Sequence, residues 1–167
     1  MTMETEADQL PTVRPPRPLP RDEIVALSGV QVLSKVVTGE LPRPPFAGTT
    51  NIVLSEVDEG RAVFTGQPDF AFLNPLGTIH GGWIATILDS AMGCAVHSML
   101  KAGQGYTTTA MTINYVRALF PDSGEVRCEA TAVHVGSRLA TSEGRIIDQK
   151  GRLIAHGSES CMILDAR

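Results

Sequence analysis

Hydrophobic and polar positions change rhythm twice along this chain. Residues 51–58 alternate, pause at Glu59-Gly60, and alternate again through residues 61–66, the signature of two strands joined by a tight turn. Residues 82–100 instead run Trp83, Ile84, Ile87, Leu88, Ala91, Met92, Ala95 and Val96 at helical spacing. Four strand-like runs follow, over 107–119, 124–135, 139–148 and 153–164, separated by turn residues such as Pro121-Asp122-Ser123-Gly124 and Gly136-Ser137. One long helix among five or six antiparallel strands is an α+β arrangement, read here as a hairpin, a helix and then a meander.

The N-terminal part reads differently. Eight of the 11 prolines lie in the first 45 residues, and a run such as Pro11 to Pro20 sustains neither helix nor ladder. Residues 21–40, with Ile24, Leu27 and Leu33 at helical spacing and Asp22 and Glu23 at the positive end, predict one short helix. The expected organisation is a proline-rich arm over 1–21, a helix and proline linker over 22–45, and the folded domain over 46–167.

Composition narrows the function. The 167 residues are 43% hydrophobic and 19% charged, with a net charge of -4, which suits one globular domain. An acidic balance with 5% aromatics argues against nucleic acid as a partner. Three scattered cysteines, Cys94, Cys128 and Cys161, suit free thiols in a cytoplasmic protein. The helix carries Asp89 and His97, so it is expected to be buried in protein rather than in a membrane. Histidine spacing suggests no metal site, and no nucleophile-elbow, Rossmann or Walker pattern is present.

Between Phe70 and Pro121 the chain has a single carboxylate, Asp89, in the middle of the apolar helix. Such a group is either satisfied by nearby amides and hydroxyls or held as a hydrolytic base or nucleophile. Gly81 and Gly82 open the same helix, where bare amides and the helix dipole suit an oxyanion, although a glycine pair there is also ordinary turn chemistry.

Asn74-Pro75, Gly77 and His80-Gly81-Gly82, followed by Ala85-Thr86 and Asp89, together resemble the hotdog-fold acyl-CoA thioesterases of the PaaI-like, phenylacetate-pathway branch. Thr107-Thr108-Thr109, Ile113 to Arg117, Gly136-Ser137-Arg138 and the segment from Asp148 to His156 continue the resemblance, over about residues 36–164. It implies a sheet wrapped around the central helix and sites at a dimer interface, with pairing of dimers as a further expectation. It also implies hydrolysis of an acyl-CoA. Asp89 would be the base or nucleophile and the Gly81 amide the carbonyl donor. Asn74 and Thr108 would position water or thioester, and His80 would be either a further catalytic residue or a hydrogen-bonding residue of the turn. Gly136, Ser137, Arg138 and Arg117 would contact coenzyme A, which is substrate, so no cofactor is expected. Trp83, Ile84 and Met92, with Phe70 or Phe72, would line the acyl pocket. A non-catalytic acyl-CoA sensor and a hotdog-fold enoyl-CoA hydratase or dehydratase are the other readings.

One constraint is geometric. Gly81 and Asp89 are eight residues apart, about 12 Å along a helix and about 80° around it. A single thioester cannot reach both in one chain, so joint action requires two copies.

Overall fold

The computed structural model describes Leu19 and residues 21–165; most of the proline-rich arm predicted over 1–21 lies outside the described residues. The hairpin forms as expected, from β1 (Ile52–Asp58) and β2 (Arg61–Gly66), with Gly60 at φ +78° in the turn. The long helix, preceded by three short ones described below, is Gly81–Ser98. After it come β3 (Gln104–Tyr115), β4 (Val126–Val135), β5 (Leu139–Ile147) and β6 (Leu153–Asp165).

These strands form one antiparallel sheet in the order β1-β2-β4-β5-β6-β3. Only β4, β5 and β6 are a meander. β3 does not pair with β4, as an unbroken meander would require, but crosses to the far side of β6, with Thr108 opposite Cys161 and Tyr115 opposite Ala155. Twelve residues long, β3 is therefore a sheet edge, and most of it is exposed.

The helix sinks into the sheet because the sheet is thin beneath it. Ile87, Leu88, Ala91, Met92, Ala95 and Val96 are fully enclosed. A Cβ on Gly66 would stand 2.9 Å from Ile87 Cδ1 and from Trp83 Cη2, and one on Gly144 3.0 Å from Met92 Cγ. Missing side chains at these two strand positions admit the large ones of the helix.

The single helix predicted over 21–40 is two helices, α1 (Arg21–Val25) and α2 (Gly29–Val37). Ser28 interrupts them, its amide donating to Gln31 Oε1 at 2.9 Å as a new N-terminus begins. Gly29 then presses on the far end of the long helix: its amide donates to Leu100 O at 2.9 Å, and a Cβ there would lie 1.7 Å from His97 O. Leu33 of α2 joins the main core. The proline cluster leads into a further helix, α3 (Pro45–Thr50), with Pro45 in its first turn; the Gly81–Ser98 helix is accordingly α4.

Candidate active site

The segment between β2 and α4 is shaped by its own hydrogen bonds. Asn74 Oδ1 accepts from the amides of Leu76 (2.9 Å) and Thr78 (3.2 Å), and its Nδ2 donates to Thr78 Oγ1 at 2.8 Å. Asn74 thus spends most of its amide on the turn that carries the chain to His80. His80 caps α4, its Nδ1 accepting from the Gly82 amide at 2.8 Å. A Cβ on Gly82 would fall 2.9 Å from that nitrogen, so the second glycine is what lets His80 fold back.

Capping leaves one donor over. The amides of Trp83 and Ile84 both point to His80 O, at 3.0 and 3.5 Å, and Gly82 is taken by the imidazole. Of the first four helical amides, Gly81 N–H alone has no acceptor among the described residues. It sits at the positive end of an 18-residue helix. Tyr115, at the end of β3, donates through its hydroxyl to Gly81 O at 3.2 Å and stands against the Gly81 Cα.

Asp89 lies two turns on, with Gly82 and Thr86, on the side of α4 that the sheet leaves partly open. The sequence suggested a dry carboxylate there; in the single chain Asp89 is half-buried. The buried carboxylate beside Asp89 is Glu159 of β6, only 2% exposed, which sequence reasoning did not single out. Thr108 joins the two: its hydroxyl oxygen lies 3.3 Å from Asp89 Oδ1 and 2.8 Å from Glu159 Oε1. A bulge between Thr108 and Ala110 locally resets the strand beside this site. Cys161 Sγ lies 3.0 Å from the same Glu159 oxygen. Burial pushes the Glu159 carboxyl up, with a further rise from the Asp89 charge, against the lowering effect of its bonds to Cys161 and Thr108. The signal for Glu159 was present in the sequence: stepping back by two from Ile163 and Cys161, both inward on β6, lands on an acid.

The proposed coenzyme A residues fall in two places. Gly136, Ser137 and Arg138 form the β4–β5 turn, where Arg138 O accepts from Ile163 N at 2.9 Å. The next residue, Leu139, pairs with Met162, which also faces Thr107, so this turn lies toward the Thr108–Asp89 end of β3. Arg117 follows the opposite end, two residues after the Tyr115 that bonds Gly81, its amide donating to Ile154 O at 3.0 Å. Eight residues of strand, about 27 Å, separate Thr107 from Tyr115. Within one chain, then, Gly81 goes with Arg117, and Asp89 goes with Gly136–Arg138.

Beside the start of α4 lies a cavity of about 370 Å³ lined by Phe46, Phe72, Leu73, Trp83, His80 and Thr86, among others. Phe72 stacks on Trp83 with ring centroids 5.7 Å apart, and Trp83 Nε1 donates to Thr50 O at 2.8 Å, tying α3 to α4. Ile84 and Met92, expected in the acyl pocket, are instead core residues at 4% and 0% exposure, because they face the sheet. Phe70 is open to solvent. Among the described residues no cluster of side chains suits a metal ion, no helix is long and apolar enough to cross a membrane, and the three cysteines are unpaired.

Residues 76–155 match the family model of the thioesterase superfamily. The structure is similar to that of a thioesterase-named, phenylacetic acid degradation-related protein of Ralstonia eutropha, at 29% identity and a TM-score of 0.70 over 78% of this chain and 98% of that one. It is also similar to a thioesterase protein of Streptococcus pneumoniae solved with coenzyme A, at 26% identity and a TM-score of 0.64 over 70% and 88%. An esterase-named protein of Halobacterium salinarum is 33% identical over 73 residues, which is 42% of this chain and 46% of that relative; the match thus spans about half the length of the curated relative. Over residues 76–155, just under half of its length, the chain is thus similar to the thioesterase superfamily, and it shares the fold of thioesterase-named structures over most of its length.

Proposed function

We propose that the protein hydrolyses an acyl-CoA thioester at a site built from two copies of the chain. The observation that carries this reading is the uncommitted Gly81 amide at the start of α4, on the same helix as Asp89 but out of its reach. The unpaired edge of β3 supplies a way to bring two copies together. If two β3 strands pair antiparallel about a two-fold axis near Met111 and Thr112, the Thr108 end of one meets the Tyr115 end of the other. Asp89 of one copy then approaches Gly81 of the second. The same operation brings Arg117 of one copy to Gly136, Ser137 and Arg138 of the other, where guanidinium and amide donors suit the phosphates of coenzyme A.

In the reaction the Gly81 N–H donates to the thioester carbonyl oxygen and takes up charge as that oxygen becomes an oxyanion. Asp89 of the second copy removes a proton from water, whose oxygen attacks the carbonyl carbon. Collapse of the tetrahedral adduct breaks the C–S bond, and the proton held by Asp89 passes to the departing thiolate. Direct attack by Asp89, through an anhydride that water then opens, is the other route this geometry serves. The remaining Nδ2 hydrogen of Asn74 is available to water or thioester, while His80 keeps the Gly81 amide exposed by occupying its neighbour. The acyl group enters the cavity beside Phe46, Phe72 and Trp83. Free thiol released from a panel of acyl-CoAs tests the activity; no release from any of them, with tight binding retained, would favour a sensor.

A further inference from the structure

We propose that Glu159 is a positioning residue for Asp89: a neutral carboxylic acid that donates its proton to Thr108 Oγ1, so that the Thr108 hydroxyl donates in turn to Asp89 Oδ1. This rests on the reading of Asp89 as the hydrolytic carboxylate.

The argument is a count of protons. Thr108 has one hydroxyl hydrogen, yet its oxygen is within bonding distance of two carboxyl groups, at 2.8 Å from Glu159 and 3.3 Å from Asp89. Were both acids ionised, one hydrogen would have to serve two acceptors. A protonated Glu159 removes the conflict. Its O–H takes the short contact as donor, Thr108 Oγ1 accepts it, and the hydroxyl hydrogen is left for Asp89. Cys161 donates to the same Glu159 oxygen through a remaining lone pair.

The surroundings of Glu159 favour the neutral form. The ionisable groups facing it are Asp89 and Cys94 from α4, Tyr106 from β3 and Cys161 on its own strand; each is neutral or negative. Ser142, directly opposite on β5, contributes a hydroxyl but no charge. Among the described residues Glu159 joins no ion pair, and its Oε2 has no hydrogen-bond partner. A buried anion in that setting has too little to hold it.

The arrangement ties the site to pH. While Glu159 keeps its proton, the hydroxyl hydrogen of Thr108 belongs to Asp89. Once Glu159 ionises, the hydrogen turns back to the nearer oxygen and Asp89 loses its donor. Glu159→Leu removes the competing oxygens altogether, so the Thr108 hydrogen stays with Asp89 at every pH.

Carboxyl carbon NMR across pH, with labelled glutamate, tests the relay without any turnover. The expected result is a Glu159 signal that stays at the protonated position at pH 7 in the wild type and ionises at lower pH in Asp89→Asn, where the neighbouring charge is gone. A Glu159 carboxyl that titrates in the ordinary glutamate range, or that ignores the Asp89→Asn change, overturns the proposal. Kinetics give the second readout. Wild-type kcat/KM should fall about tenfold as pH rises through the Glu159 ionisation, and Glu159→Leu, which leaves Thr108 no competing acceptor, should lack that fall; Thr108→Val, which takes the hydrogen away, should move the acid limb upward. A Glu159→Leu profile with the same alkaline fall as wild type, or a Thr108→Val acid limb that does not move, also overturns it. A protein whose relay titrates as expected but which hydrolyses no thioester would remove the functional reading alone.

Discussion

The amide of Gly82 donates to His80 Nδ1 at 2.8 Å, and that bond determines which amide of α4 is left for a ligand. A cap from a side chain usually takes the second or third helical amide. His80 takes the second, its carbonyl takes the third and fourth, and the first remains.

His80→Ala should therefore act on the helix end before it acts on chemistry. Loss of a cap costs about 1 kcal/mol, a fall of about 2–4 °C in Tm for a chain of this size. His80→Asn, which supplies another capping acceptor, should recover most of that loss. Thermal melts of the three proteins read the difference; an unchanged Tm in His80→Ala would mean that the cap contributes nothing.

Gly81→Pro isolates the remaining amide. Proline is well suited to the first position of a helix and lacks only the N–H, and His80 at ψ 135° is already in the conformation a following proline prefers. The expected loss is about 10²–10³ in kcat with the fold intact. Gly81→Ala keeps the N–H and sets its Cβ 3.4 Å from the Tyr115 ring, so it should lose far less. Equal kcat values for the two variants would contradict the assignment of this amide to the carbonyl.

Asp89→Asn should lower turnover by about 10²–10⁴ without altering the assembly, since a general base contributes on that scale. A single turnover in ¹⁸O water, followed by mass spectrometry, separates the two routes. Label in the Asp89 carboxylate identifies an anhydride opened at the Asp89 carbonyl, whereas direct attack by water puts the label in the product acid and none in Asp89.

Acid stability has a different origin. Arg127 and Arg61 on the β2–β4 side of the sheet hold the Glu56 carboxyl down at about 2, and Arg61 also holds down Glu129. A carboxylate whose value is lower in the folded chain stabilises the fold above its unfolded value and loses that contribution as pH falls toward the folded one. Unfolding free energy should thus decline between about pH 4.5 and 2, by less in Glu56→Gln and by less at high salt. Denaturant titrations at each pH check this.

The sequence exposed more of the site than of its supports. Asp89 stood out because the stretch around it has no other acid, and the glycine pair marked the helix start. Glu159 escaped because β6 contains other polar residues, and only the inward phase of Cys161 and Ile163 distinguishes it. The break at Ser28 was hidden for a related reason. It depends on Gly29 meeting His97, nearly 70 residues away, a contact that local periodicity does not encode. The crossing of β3 to the far side of β6 is likewise a matter of packing, since either neighbour would satisfy its alternating pattern.

The central claim is that Gly81 and Asp89 act together only from different copies. Subunit mixing tests it directly. Asp89→Asn and Gly81→Pro, each nearly inactive alone, are unfolded together in equal amounts and refolded. Half of the resulting dimers would be mixed, and each mixed dimer would hold one intact site. The expected activity is about a quarter of the wild-type value, rising from near zero in either variant refolded alone. Mixed dimers that form, shown by affinity tags on the two variants, yet restore no activity would contradict a site shared between chains.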